Sequence, residues 1–236
     1  KEMKSLKIVA LAAVAFVAVA CVTSPKVNPQ PKGISKAAVD SASYALGANL
    51  GMIITMNDMG DMNLSEIIKG YKDALNGVEG LDGNFINETL NAFMNNRMMF
   101  VAEENLAKGQ KFLEENGKKD GVVTLEDGLQ YQIVRAGNGV KPTSAMDTVE
   151  VNYEGKLIDG KVFDSSYERG ESISFPLNQV ISGWSEGLMF AEEGGELNLW
   201  IPSDLAYGQR GPGGPNQTLI FKVELIKVRP YVEKAE

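Results

Sequence analysis

The chain of 236 residues contains no histidine and a single cysteine, Cys21. Without histidine there is no Ser-His-Asp or Cys-His nucleophile system and no histidine-ligated metal. One cysteine makes no internal disulfide, so the chain is not a disulfide-stapled secreted mini-domain. Positive charge is scarce as well. Lys and Arg number 23 against 31 Asp and Glu, a formal net charge of −8, and the run Lys118-Lys119 is followed at once by Asp120. Phosphate binding needs clustered basic residues, so these features argue against a nucleic-acid partner. The glycine-rich stretch from Gly208 to Gly214 lacks the Gly-Lys-Ser/Thr ending of a phosphate loop. Nothing here calls for a metal or a cofactor.

What is present is ordinary globular material. Hydrophobic residues make up 44% and charged residues 23%, which predicts a packed core in one large or two ordinary domains. At the start, Lys4 and Lys7 precede a wholly apolar run from Ile8 to Ala20 that ends in Ala18-Val19-Ala20, directly before Cys21. A charged start, a short apolar stretch and a small-residue cleavage site describe a secretory leader, residues 1–20, too short to span a bilayer as a mature helix. The arrangement resembles a bacterial lipoprotein signal, which implies lipidation of Cys21 and a membrane anchor. Ala18 departs from that pattern, and ordinary cleavage leaving a free thiol is the rival reading. Residues 21–36, with Pro25, Pro29 and Pro31, read as an extended tether.

From Ser35 the apolar spacing becomes helical. Val39, Ala42, Leu46, Leu50 and Ile53 lay a stripe along a first helix. A second is expected from Leu64 to Asn76, stopped by Gly77, and a third from Asn84 to Asn116. At 1.5 Å per residue the third would be roughly 45 to 50 Å long, and Gly109 marks a weak point in it. Seven of the ten methionines fall between Met52 and Met99. Core or dimer-seam packing, a surface for unfolded clients and thioether binding of Cu(I) compete to explain them.

After Gly117 the period changes to two. Leu129, Tyr131 and Ile133 alternate with Gln130, Gln132 and Val134, and Leu219, Phe221, Val223 and Leu225 with Thr218, Ile220, Lys222 and Glu224. This predicts a sheet covered on one face, with Asp-Gly hairpin turns at 126–128 and 158–161 and only one short helix, around 178–190.

Five strings within this region, VNYEG, VFDSS, QVISGW, LAYG and TLIF, supply Tyr153, Phe163, Trp184, Tyr207 and Phe221, with Asp164 as a lone carboxylate. An aromatic pocket with few polar groups suits an apolar, weakly hydrogen-bonding ligand such as a proline ring and its imide carbonyl. From about Gly121 to Val228 the chain strongly resembles the FK506-binding-protein family of peptidyl-prolyl isomerases. The helical half resembles, through Ser43-Tyr44-Ala45-Leu46-Gly47, the dimerisation domain of macrophage-infectivity-potentiator-like proteins. The resemblance implies an α+β protein: a helical dimerisation domain with a long connecting helix over 37–118, then an isomerase domain over 119–236, an antiparallel sheet wrapped around one short helix. It also implies the site. Trp184 would floor the pocket, with Tyr153, Phe163 and Phe221 as walls and Val180 as rim. The Ile181 backbone N–H would hold a substrate carbonyl, and Asp164 and the Tyr207 hydroxyl would add polar contacts. Asp164 is alternatively a turn cap before Ser165-Ser166, or the ion-pair partner of Arg169. Ile173 stands where many members have a pocket aromatic, Gln179 replaces an acidic residue, Ser182 a proline, and the loop from Gln209 to Gln217 is short.

The expected partners are therefore proline-containing unfolded or exported polypeptides, FK506-like macrolides, a membrane reached through the lipid anchor, and a second copy of the chain. The expected place is the bacterial cell envelope, facing the periplasm. A dimeric holdase with little isomerase activity is the alternative.

Overall fold

The computed structural model describes residues 30–232. The leader, Cys21 and the tether as far as residue 29 lie outside them. The chain divides into two compact units between Asn91 and Ala92.

The first unit is helical. Helix α1 (Lys36–Met56) starts where the Ser35 side chain accepts the Ala38 N–H, and α2 (Leu64–Leu75) where Asn63 accepts from Ser65 and Glu66. Each cap satisfies amide donors that the first helical turn leaves without a carbonyl. Helix α3 (Gly83–Asn116) is continuous for 34 residues, about 51 Å at 1.5 Å per residue. Met59 is the only buried residue among those described in this unit, while Tyr44 is 81% and Leu46 66% exposed.

The second unit holds the rest of α3 and an antiparallel sheet. Its strands are β1 (Val123–Thr124), β2 (Gln130–Arg135), β3 (Thr148–Leu157), β4 (Val162–Ser165), β5 (Ile173–Pro176), β6 (Glu196–Ile201) and β7 (Leu219–Arg229). They pair in the order β1-β2-β6-β7-β3-β4, with β5 also on β3. The long strand β3 buries Val149, Val151, Tyr153 and Leu157 at alternate positions, and β7 buries Leu219, Phe221, Val223 and Leu225. Period-two burial lays these residues on one face, where Leu177, Leu188, Leu197 and Ile201 complete the core.

Across that face lies helix α5 (Ser182–Gly187), flanked by 3₁₀ turns at Leu177–Gln179 and Leu188–Phe190. It sits close because a Cβ at Gly183 would come within 2.3 Å of the Ile201 side chain, and one at Gly187 within 2.5 Å of Leu199. Only hydrogen fits there.

Three expectations change. A second short helix, α4 (Ser166–Arg169), follows β4, nucleated by Ser165, whose hydroxyl accepts the Glu168 N–H at 3.3 Å. Gly109 does not interrupt α3; it is buried, and its lack of a side chain leaves room for the Thr218 hydroxyl, 2.2 Å from where a Cβ would lie. Gln130, placed by alternation on the polar face, is buried, whereas Ile133 is 43% exposed. The end of α3 covers that part of the sheet: Asn116 Nδ2 donates to Gln130 Oε1 at 2.9 Å, and Gln130 Nε2 donates to the Leu113 carbonyl at 2.8 Å.

Candidate active site

One cavity of 390 Å³ opens between β3, β4, β5 and α5, lined by Tyr153, Phe163, Asp164, Ile173, Phe175, Gln179, Val180, Ile181, Trp184, Tyr207 and Phe221. All nine residues expected at the site line it. A larger cleft of 560 Å³ runs along α3, but Gln110, Glu114, Lys118, Thr124, Asp127 and Asp204 are among its walls and it has no aromatic ring. Chemistry rather than size singles out the smaller cavity.

Its floor is Trp184, 4% exposed. The Tyr153 ring meets the indole edge-on at 5.1 Å and 87°, and Phe221 does so at 5.0 Å and 81°. Phe163 stands edge-on to Phe221 at 5.6 Å. Edge-to-face contacts bring the positive rim of one ring to the negative face of the next, so the rings brace one another around the cavity. Gly155 makes room for it, because a Cβ there would fall 2.7 Å from the Phe221 ring and 2.8 Å from that of Phe163. Phe175, tilted on Trp184 at 5.4 Å, is a wall that sequence reasoning missed. Its position two residues after Ile173 on a strand, hence on the same face, was the available signal.

The polar side is a linked trio. The Tyr153 hydroxyl donates to Asp164 Oδ2, Arg169 Nη1 donates to Asp164 Oδ1, and Arg169 Nη2 donates to the Tyr153 oxygen at 2.8 Å. Asp164 is thus the ion-pair partner of Arg169, and Ser165 supplies the turn cap. Desolvation works against the Asp164 carboxylate, but the hydrogen bonds from Tyr153 and Arg169 outweigh it and hold the acid below its ordinary range. Desolvation first, then the same Asp164 contact, pushes the Tyr153 phenol up. Burial and the charge of Asp164 also raise Tyr207. The Tyr207 hydroxyl, the Ile181 N–H and the buried Trp184 Nε1–H have no hydrogen-bond partner among the described residues.

An antiparallel sheet closed over a short helix, with an indole-floored aromatic cavity between them, defines a binder of apolar, proline-like groups. The comparisons give that class its name. Residues 139–226 match the family model for the FKBP-type peptidyl-prolyl cis-trans isomerase, and residues 39–133 match the model for the domain amino terminal to it. The FKBP-type peptidyl-prolyl cis-trans isomerase FkpA of Escherichia coli (strain K12) is 41% identical, covering 97% of this chain and 93% of that protein. The outer membrane protein MIP of Legionella longbeachae is 43% identical over 80% of this chain and 85% of its own length. Among solved structures, the crystal structure of FkpA from Escherichia coli matches with a TM-score of 0.67 at 40% identity, covering 84% of this chain and 99% of that one. The chain belongs to the FKBP-type peptidyl-prolyl cis-trans isomerase family.

Proposed function

We propose that this isomerase assists the folding of exported proteins by binding the X-Pro bond in the Trp184 cavity and favouring its twisted form. The aromatic box around Trp184, with the free Ile181 N–H at its lip, is the observation that carries the reading. Unaided X-Pro rotation takes tens to hundreds of seconds because amide resonance must be broken at the barrier top. The twisted amide has lost that resonance and its carbonyl carries less negative charge, so a dry apolar box penalises it less than the planar form. Each ~1.4 kcal/mol of such preference speeds rotation tenfold. In this scheme the proline ring stacks over Trp184 between Tyr153, Phe163 and Phe221. The Ile181 N–H receives a substrate carbonyl, and the Tyr207 hydroxyl adds a polar contact from the rim.

Asp164 is assigned a framework part. Its carboxylate is already held by Tyr153 and Arg169, so it orients the Tyr153 wall rather than taking a proton. No covalent step is needed, and FK506-like macrolides should compete with substrate for the same box. A protease-free prolyl-peptide assay on folded protein tests the scheme. A rate at background would overturn it.

Lipidation at Cys21, an envelope location facing the periplasm and pairing with a second copy complete the proposal. The leader pattern supports the first two. Pairing is supported by a helical unit that, among its described residues, buries Met59 alone and leaves Leu46, Leu50, Ile53 and Tyr71 exposed beside an apolar cleft of 580 Å³ between α1 and α2. Helices of this length need tertiary burial of their apolar faces, and a second copy would supply it. The holdase alternative, with little isomerase activity, is not adopted, since the box is complete.

A further inference from the structure

Tyr207 lies in the loop between β6 and β7, and the far end of that loop is fastened to α3. The Asn216 N–H donates to the Gly208 carbonyl at 2.8 Å, which closes the neck of the loop one residue from Tyr207. Asn216 takes a left-handed backbone, φ 53°, which asparagine tolerates better than most residues. From there its Nδ2 donates to the Ala102 carbonyl at 3.2 Å, and its Oδ1 accepts from Gln209 Nε2 at 3.1 Å. The preceding Pro215 carbonyl accepts from Asn105 Nδ2 at 2.8 Å.

Ala102, Asn105 and Gly109 fall at i, i+3 and i+7, one face of α3. At Gly109 a Cβ would lie 2.2 Å from the Thr218 hydroxyl oxygen, so the Thr218 side chain, at the end of the same loop, packs directly on the α3 backbone. The Tyr207 side chain itself is half exposed with no partner for its hydroxyl. Its position over the cavity therefore depends on where the loop backbone is held.

We propose that Asn105 and Asn216 are positioning residues for Tyr207, and that this face of α3 sets the geometry of the pocket rim. The proposal rests on the reading of Tyr207 as a substrate contact. A displacement of the order of 1 Å at a binding group is enough to cost activity while leaving the fold intact.

The test is a double-mutant cycle in the full chain with kcat and KM measured separately: Asn105→Ala, Tyr207→Phe and the two combined. Asn105→Ala should lower kcat/KM about fivefold, the equivalent of one lost hydrogen bond. In the Tyr207→Phe background the same change should alter kcat/KM by less than about twofold. A purely structural role for Asn105 would lower the rate equally in both backgrounds and would overturn the proposal, as would an Asn105→Ala enzyme with wild-type rates. Should Asn105→Ala lose its circular-dichroism melting transition, Asn216→Gly enters the cycle instead, because glycine keeps the left-handed backbone and removes only the side-chain bonds. Wild-type rates in Tyr207→Phe would overturn the reading of Tyr207 itself. A clear loss in Tyr207→Phe with additive Asn105→Ala would overturn only the link to α3.

Discussion

At the scale of single residues the cavity separates what binds from what supports. Asp164 illustrates the second kind, since both of its oxygens are engaged by Tyr153 and Arg169. Because its folded pKa lies below the unfolded value, its contribution to stability is present above the ordinary carboxylate range and is lost as pH falls through the depressed value. Asp164→Asn should accordingly melt lower than wild type at neutral pH, with the gap closing below about pH 4. A gap in melting temperature that stays constant with pH would refute this. Glu186 on α5 behaves in the opposite sense, its carboxyl pushed up first by a hydrogen bond with Asp127 and then by burial. Its stabilising contribution is complete below the ordinary range and disappears as pH rises through the raised value. Glu186→Gln should therefore raise the melting temperature at pH 7.5 and lose that advantage near pH 4, as calorimetry across pH would record.

At the scale of elements, glycines decide how closely parts approach. Helix α5 brings Trp184 under the cavity because Gly183 and Gly187 let it rest on Ile201 and Leu199. Gly183→Ala should cost about 1–3 kcal/mol of unfolding free energy in urea, the usual range for overpacking a core. Activity should fall with it as the indole moves. Gly109 does the same for α3 against Thr218, so Gly109→Ala should destabilise the second unit and reproduce the kinetic loss expected of Asn105→Ala. Removing the obstructing hydroxyl with Thr218→Ala should restore part of both, which a simple gain in helix propensity would not explain. The strands were legible because Val149, Val151 and Tyr153, like Leu219, Phe221 and Val223, alternate cleanly. The face that α3 turns to the sheet was not. It includes Ala102, Asn105, Gly109 and Asn116, small or amide residues that no apolar stripe includes.

At the scale of the whole molecule the two units differ in how they are stabilised. The second has a dense apolar core, while the described residues of the first bury only Met59. Light scattering on the lipid-free protein should give twice the chain mass, and Leu46→Glu with Leu50→Glu should reduce it to one chain by placing charge on the exposed α1 stripe. A monomer for the unmutated protein would dismiss the pairing. The acidic balance gives a second check, because a body of net charge −8 has no electrostatic attraction to anionic lipid. Vesicle binding should need the lipid on Cys21 and persist in high salt, whereas Cys21→Ser protein should remain in the supernatant.

The sequence by itself determined the helical half, the switch to strands after Gly117 and five of the rings that face one cavity, Tyr153, Phe163, Trp184, Tyr207 and Phe221. These follow from local periodicity and from motif strings whose residues lie close together in the chain. Only the tertiary structure decided that Phe175 joins the wall, that Arg169 and Tyr153 share Asp164, that Gln130 is buried and that α3 reaches the loop behind Tyr207. Most of those depend on a contact between separate segments, such as Asn105 with Pro215 or Asn116 with Gln130. Such contacts leave no periodic mark in either partner.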